Sequence, residues 1–167
     1  MDVSLKPIVN TVDEALFQMV QEIGPAETGF ENMLYSNDLA QFKQKLEISI
    51  DWSKGMNLPK HFVRTSTFWL YIDGSPVGYG KLRHKLNEQL LNNGGNISYV
   101  IRPKERGKGY GKLLLKLLLQ EAKRHGLSNV LITVDVSNIP SRKVAEANQA
   151  ICAKIENGMC KYWVMLD

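Results

Sequence analysis

Three glycines at alternate positions, Gly107, Gly109 and Gly111, stand among the cations Arg106, Lys108 and Lys112. Residues without a Cβ let a ligand approach the main chain, and the first turn of a helix carries N–H groups with no internal partner. Those donors, with the positive end of the helix dipole, make a site for phosphate. Two common phosphate loops are excluded by spacing. A dinucleotide fingerprint, Gly-x-Gly-x-x-Gly, needs its third glycine one residue later. A P-loop needs four residues between its outer glycines; three separate Gly107 from Gly111, and Leu113 stands where a magnesium-holding hydroxyl belongs. What remains is a turn over 106–111 that either cradles a diphosphate or merely joins two elements.

The elements that position this turn are legible on either side of it. Ile97, Tyr99 and Ile101 alternate with Ser98, Val100 and Arg102, a pattern rich in β-branched and aromatic residues that predicts a strand over 96–102. Pro103 has no N–H for a ladder and ends it. Leu113, Leu114, Leu115, Leu117, Leu118 and Leu119 then open a long helix that runs to His125. Further out, the expected order is a strand over 3–9, a helix through Ile23 opened by a capping box at Thr11-Val-Asp-Glu14, and a loop over 24–29. A second helix capped by Asn37 or Asp38 runs toward Trp52. A loop over 53–59 leads to strands 66–72 and 77–86, joined by a turn at Asp73-Gly-Ser-Pro76. A helical turn over 87–92 stops at Gly94-Gly95. Beyond the Leu-rich helix, 129–135 reads as a buried strand parallel to 96–102, 139–148 as a short helix, and 150–165 as a closing hairpin.

The sequence Arg106-Gly-Lys-Gly-Tyr-Gly111 fits Arg/Gln-x-x-Gly-x-Gly/Ala between a strand and a helix, which resembles the coenzyme A pyrophosphate loop of the GNAT superfamily of N-acetyltransferases. Asn138-Ile-Pro-Ser141, just after the strand at 129–135, is similar to that family's Asn-x-x-Ala/Ser signature. A plain helix cap is the competing role for Asn138. The element order also resembles the family's, so the resemblance covers the whole chain. The runs Arg83-His-Lys-Leu-Asn87, Gly94-Gly-Asn-Ile-Ser-Tyr99 and Ser141-Arg-Lys-Val look most like a bacterial group of predicted acetyltransferases. The fold this implies is α/β (α+β): a mixed, mostly antiparallel central sheet of about seven strands, a splayed parallel pair in its middle and helices on both faces. The activity it implies is acetyl-CoA-dependent acetyl transfer to a primary amine by direct attack in a ternary complex, with acetyl-CoA as cosubstrate and no metal. By the same resemblance, Tyr99, Val100 and Ile101 hold the pantetheine, Arg106, Gly107, Lys108, Gly109, Tyr110, Gly111 and Lys112 the pyrophosphate, and Asn138 and Ser141 the adjoining arm.

The chain departs from the family where a proton must move. Ala145 stands where many relatives carry a tyrosine acid, and Thr133 where some carry a glutamate base. Three residues are candidates in their stead: His84, which titrates near neutrality; Asp135, at a strand end; and Tyr99, a possible donor to the departing thiolate. Each has an ordinary structural role to compete with, in a surface or structural histidine, a turn-forming aspartate and a buried sheet tyrosine. Phe17, Phe30, Tyr35, Phe42 and Trp52 either line an acceptor pocket or pack a core. A domain that binds acyl-CoA without turnover is one alternative. A nucleic-acid binder using Arg106, Lys108, Lys112, Lys116, Lys123 and Arg124 is another, though no aromatic residues interleave with them for stacking.

Composition agrees with an enzyme-sized globule of 167 residues, read as a single domain over 1–167. A net charge of +4 favours an anionic ligand without demanding nucleic acid. The apolar run 113–119 is too short for a bilayer, and the first seven residues lack the basic start and apolar core of a secretory leader, so the expected location is cytoplasmic. The expected partners are a small-molecule or peptide amine, with no nucleic acid or membrane, in a monomer or homodimer. His61, His84 and His125 are isolated in sequence, with no metal spacing. If Asn157-Gly158 is a two-residue turn, Cys152 lies opposite Trp163 and points away from Cys160, so no disulfide is expected.

Overall fold

A computed structural model describes residues 1–27 and 29–167. Its strands form two principal sheets. The first has the order β1 (Val3–Pro7), β4 (Thr65–Ile72), β5 (Ser75–Arg83), β6 (Ile97–Ile101), with antiparallel neighbours throughout. The second has the order β7 (Asn129–Asp135), β9 (Met159–Met165), β8 (Ile151–Glu156), again antiparallel. A small ladder joins β2 (Ala26–Glu27) to β3 (Phe30–Glu31), inside the stretch expected to begin as loop. The seven strands of the two principal sheets are the expected central sheet, divided where β6 and β7 part.

Helices cover both faces. On one side α1 (Glu14–Ile23) and α2 (Leu39–Ser53) bury Met19, Val20, Phe42 and Leu46 against Trp69, Tyr79 and Val100. On the other, α4 (Tyr110–Arg124) buries Leu114, Leu115, Leu118 and Ala122 against Phe68, Leu70, Leu82 and Ile97. Gly80 permits that closeness, since a Cβ there would lie 2.4 Å from Leu118 Cδ1. Two short helices, α3 (Glu88–Asn92) and α5 (Ile139–Ala147), are capped by Asn87 and Asn138.

Local chemistry corrects several expectations. Thr11 does not cap α1; Asp13 does, accepting from Ala15 N at 2.8 Å, since a carboxylate is the stronger cap. Asp38 rather than Asn37 caps α2. The turn after β4 is only Asp73-Gly74, both at positive φ, the geometry whose twist matches the strands. In the last hairpin a bulge between Cys152 and Lys154 shifts the register, so Cys152 faces Tyr162 instead of Trp163. That places Cys152 and Cys160 on the same face, contrary to expectation; both are free thiols, Cys152 exposed and Cys160 buried.

The joint between the sheets decides what the fold can do. Asn96 N donates to Leu131 O at 2.8 Å, and the Asn96 side-chain oxygen takes the Leu131 N–H at 2.9 Å. Gly95 lets the chains approach this closely: a Cβ there would sit 2.4 Å from Leu131 O, and its φ is +59°. Beyond Asn96 the strands run in the same direction and separate. An alanine at 95 therefore meets both a left-handed backbone and a collision, whereas Gly126, at φ +85° with nothing within 4 Å, meets only the first. Gly126→Ala should lower stability by about 1 kcal/mol and Gly95→Ala by about 3 kcal/mol in denaturant unfolding. Equal losses would mean that the joint is not tight.

Candidate active site

The Gly-rich turn sits at the mouth of the split. Pro103–Glu105 forms a 3-10 turn after β6, and Gly109, left-handed at φ +84°, caps α4. The first main-chain bond of α4 runs from Leu113 N to Gly109 O, 3.2 Å, which leaves the amides ahead of it without a helical acceptor. Gly107 is also left-handed, at φ +77°, and no atom lies within 4 Å of where either Cβ would be. Open space and free donors thus coincide. The side-chain cations contribute less than their number suggests. Arg106 grips the Glu27 carboxylate with both terminal nitrogens, and its Nε donates to Ile101 O. Lys108 pairs with Glu105 at 2.7 Å. The main-chain N–H groups left free here are hydrogen-bond donors of the kind that suit an anion.

Three cavities meet around the split. The largest, about 450 Å³, lies over the Gly-rich turn and is lined by Tyr99, Val100, Ile101, Arg106, Gly109 and Ser141, among others. The second, about 250 Å³, opens on the α2 side and is lined by Trp52, Phe62, Tyr79, Lys81, Arg83 and Ser98, among others. A small one of about 70 Å³ lies between β6 and β7, touched by Ser98, Tyr99, Thr133 and Asp135. Phe30 borders all three. Of the expected coenzyme residues, all but Lys108 border the largest cavity; Lys108 lies outside, turned to Glu105.

The three candidate proton carriers end in different places. Tyr99 borders both the largest and the smallest cavity; its hydroxyl is buried and has no hydrogen-bond partner among the described residues. Burial pushes that phenol's pKa up, and the nearby Ser141 hydroxyl offsets part of the rise. Asp135 borders the smallest cavity, but Ser137 N at 2.9 Å and Ser137 Oγ at 2.6 Å both donate to its Oδ1 and hold its carboxyl below the usual carboxylate range. His84 borders none of the three cavities. Its Nε2 meets Ser66 Oγ at 2.7 Å, and its ring packs edge-on to His125 with centroids 4.6 Å apart, so these two histidines are not isolated. Asn138 caps α5, accepting from Ser141 N at 3.3 Å, and borders the site as well. Among the described residues no cluster of three metal-ligating side chains occurs.

Ala145 is buried in the core, and the Thr133 hydroxyl accepts from Gly94 N at 2.8 Å. The residues that sequence reasoning missed are Lys81, Arg83 and Glu27. Nothing in the local sequence marks Lys81 and Arg83, and only the covering loops turn them into cavity floor. Of the five aromatics considered for an acceptor pocket, Phe30 and Trp52 border the second cavity, while Phe17 and Phe42 pack together with centroids 5.6 Å apart.

A family profile described as Acetyltransferase (GNAT) family matches residues 28–149. The chain belongs to this family. Solved structures share the fold at low identity. One is RimL, a ribosomal L7/L12 α-N-protein acetyltransferase in complex with coenzyme A, at 16% identity and TM-score 0.72, covering 99% of this chain and 94% of that one. Another is the microcin C7 self-immunity acetyltransferase MccE in complex with acetyl-CoA and AMP, at 17% and 0.68, covering 99% and 93%. A third is yncA of Salmonella typhimurium, a putative acetyltransferase with acetyl-CoA, at 13% and 0.64, covering 100% and 95%. No helix among the described residues of this GNAT chain is long and apolar enough to cross a membrane.

His84 supplies a pH test of its structural role. Burial, with Arg64 and His125 nearby, pulls its pKa down to about 4, against about 6.5 for an unfolded histidine. Between those values the unfolded chain binds the proton and the folded one does not, so stability falls as pH drops through that window. In denaturant unfolding, His84→Asn should lose less stability than the parent between pH 6.5 and 4; an identical slope would show that His84 titrates freely.

Proposed function

We propose that this GNAT chain is an acetyl-CoA-dependent N-acetyltransferase in which coenzyme and amine meet across the β6–β7 split and the acetyl group moves in one direct step. The observation that carries this reading is the pair of cavities on opposite sides of the split, joined by the small one and bordered throughout by Phe30. Two reactants held in one cleft gain effective concentration, which lessens the demand on acid–base groups.

In this reading the free amides around Gly107–Lys112 take the diphosphate and the parted edge of β6 takes the pantetheine. Acetyl-CoA supplies the activated acyl carbon. A neutral amine enters from the Lys81 side, its nitrogen bonds to that carbon, and the carbon–sulfur bond breaks. A β6 main-chain N–H steadies the carbonyl oxygen. Tyr99 is assigned the role of giving the sulfur its proton, a role supported by its hydroxyl being buried beside the cleft without a hydrogen-bond partner of good geometry among the described residues, with only the Ser141 hydroxyl nearby. The amine's proton leaves to water or to Asp135, which is ionised at neutral pH.

An acyl-CoA-binding domain without turnover is the second reading, favoured by the buried Ala145 and by the engagement of Thr133 with Gly94. Coenzyme A release in the presence of a panel of amines separates the two. Binding is tested at the turn: Gly109→Glu, calorimetrically titrated with acetyl-CoA, should lose all detectable binding while the protein still melts cooperatively, and retained affinity would move the site elsewhere. Proton donation is tested at Tyr99. Tyr99→Phe should reduce kcat about a hundredfold with acetyl-CoA affinity unchanged, and should not destabilise, because the lost hydroxyl was unbonded. An undiminished kcat would remove Tyr99 from the mechanism.

A further inference from the structure

The cavity on the α2 side has a floor unlike its walls. Trp52 and Phe62 meet edge to face, with centroids 5.2 Å apart, and Leu34 and Val63 lie beside them. Beneath them Lys81 and Arg83 project from β5. Lys81 has its ammonium 5.0 Å from the centre of the Phe30 ring and 3.3 Å from the main-chain oxygen of Glu31. Arg83 donates through Nη1 to the carbonyls of Gly94 and Gly95 and to Ser98 Oγ. Among the described residues neither cation forms an ion pair with a carboxylate. Glu31 is the one acid bordering this cavity among the described residues, and its carboxylate attracts Lys81 more weakly than burial and Arg83 disfavour the charge.

Two like charges side by side in a partly desolvated pocket are unfavourable unless something compensates them. Burial first, and then Arg83, pull the Lys81 pKa down to about 8. An anionic group seated there would relieve both effects. The register places Lys81 opposite Ser98, two residues from Val100, or about 7 Å along β6. A carboxylate or phosphate held at the floor therefore leaves an amine a few bonds away within reach of the split. A cavity of about 250 Å³ with an aromatic wall, just under the roughly 300 Å³ at which drug-sized ligand sites begin, suits a small metabolite.

Resting on the transferase reading above, we propose that the acceptor is a primary amine that also carries an anionic group, a carboxylate or a phosphate, bound by Lys81 and Arg83, with an apolar body against Trp52 and Phe62. This names the acceptor class of the second cavity and gives its cations the work of orienting the substrate.

The test uses the full chain, acetyl-CoA and matched acceptors compared at equal concentrations of free amine. Phenylalanine against phenylalaninamide and phenethylamine probes the carboxylate; 2-aminoethyl phosphate against ethanolamine probes the phosphate. The charged member of at least one set should exceed its neutral partners tenfold or more in kcat/KM, and whichever set responds identifies the anion. Lys81→Met should bring that ratio near one without altering the Kd for acetyl-CoA. If chemistry is too slow to follow, tryptophan fluorescence is read with coenzyme A bound, comparing N-acetylphenylalanine and N-acetylethanolamine phosphate with their neutral counterparts, N-acetylphenylalaninamide and N-acetylethanolamine. Neutral members that bind or react as well as charged ones overturn the inference while leaving the transferase reading standing. Failure of the parent chain to bind acetyl-CoA overturns both.

Discussion

One side-chain amide holds the two sheets together where they would otherwise part. Asn96 gives its main-chain N–H to Leu131 and offers its side-chain oxygen to the Leu131 N–H, so one residue serves as both halves of a β-bridge. Beyond it no ladder continues, and each strand seeks its partners on the other side: β6 from β5, β7 from β9. The outcome is an internal sheet edge, with unsatisfied main-chain groups facing a crevice instead of solvent. Such edges normally invite pairing. Here the crevice holds a cavity of about 70 Å³ between β6 and β7, and the Gly-rich turn at its mouth adds the helix-terminal donors.

The electrostatics of the two sides differ in kind. Around the Gly-rich turn most cations are already paired with carboxylates, so the anion-binding character rests on main-chain N–H groups and the helix dipole. On the α2 side the cations are, among the described residues, unpaired by carboxylates and partly desolvated, and charge itself dominates. A desolvated guanidinium and ammonium sharing one cavity are a stronger statement about ligand than the same residues on a surface, where water would screen them.

Much was legible in the chain because its signals are local. The Gly-rich turn, the Leu-rich helix and the strand before them depend on side-chain period and on residues lacking a Cβ or an N–H, and the structure returned them within three residues. Misreadings arose where two local solutions compete. Thr11 and Asp13 can both cap a helix, and the bulge at Cys152 alters pairing without any mark in composition. The site was legible on its coenzyme side, where one contiguous segment supplies most of it. On its acceptor side only Phe30 and Trp52 were legible as candidates; Lys81, Arg83 and Phe62 were not, since their meeting with Trp52 depends on how α2 and the loop after it fold back over β5.

By itself, the sequence determined the period of each element and marked a Gly-rich turn where main-chain donors could stand unpaired, because these are properties of neighbouring residues. Tertiary structure alone decided which charges are desolvated and which are neutralised. Arg106 finds Glu27 and Lys81 finds no carboxylate partner among the described residues, although each is a cation next to a glycine. Likewise His84 is turned away from the crevice while Tyr99 is turned into it. Burial and pairing are set by what the rest of the chain brings within a few ångströms, and no local pattern encodes that distance.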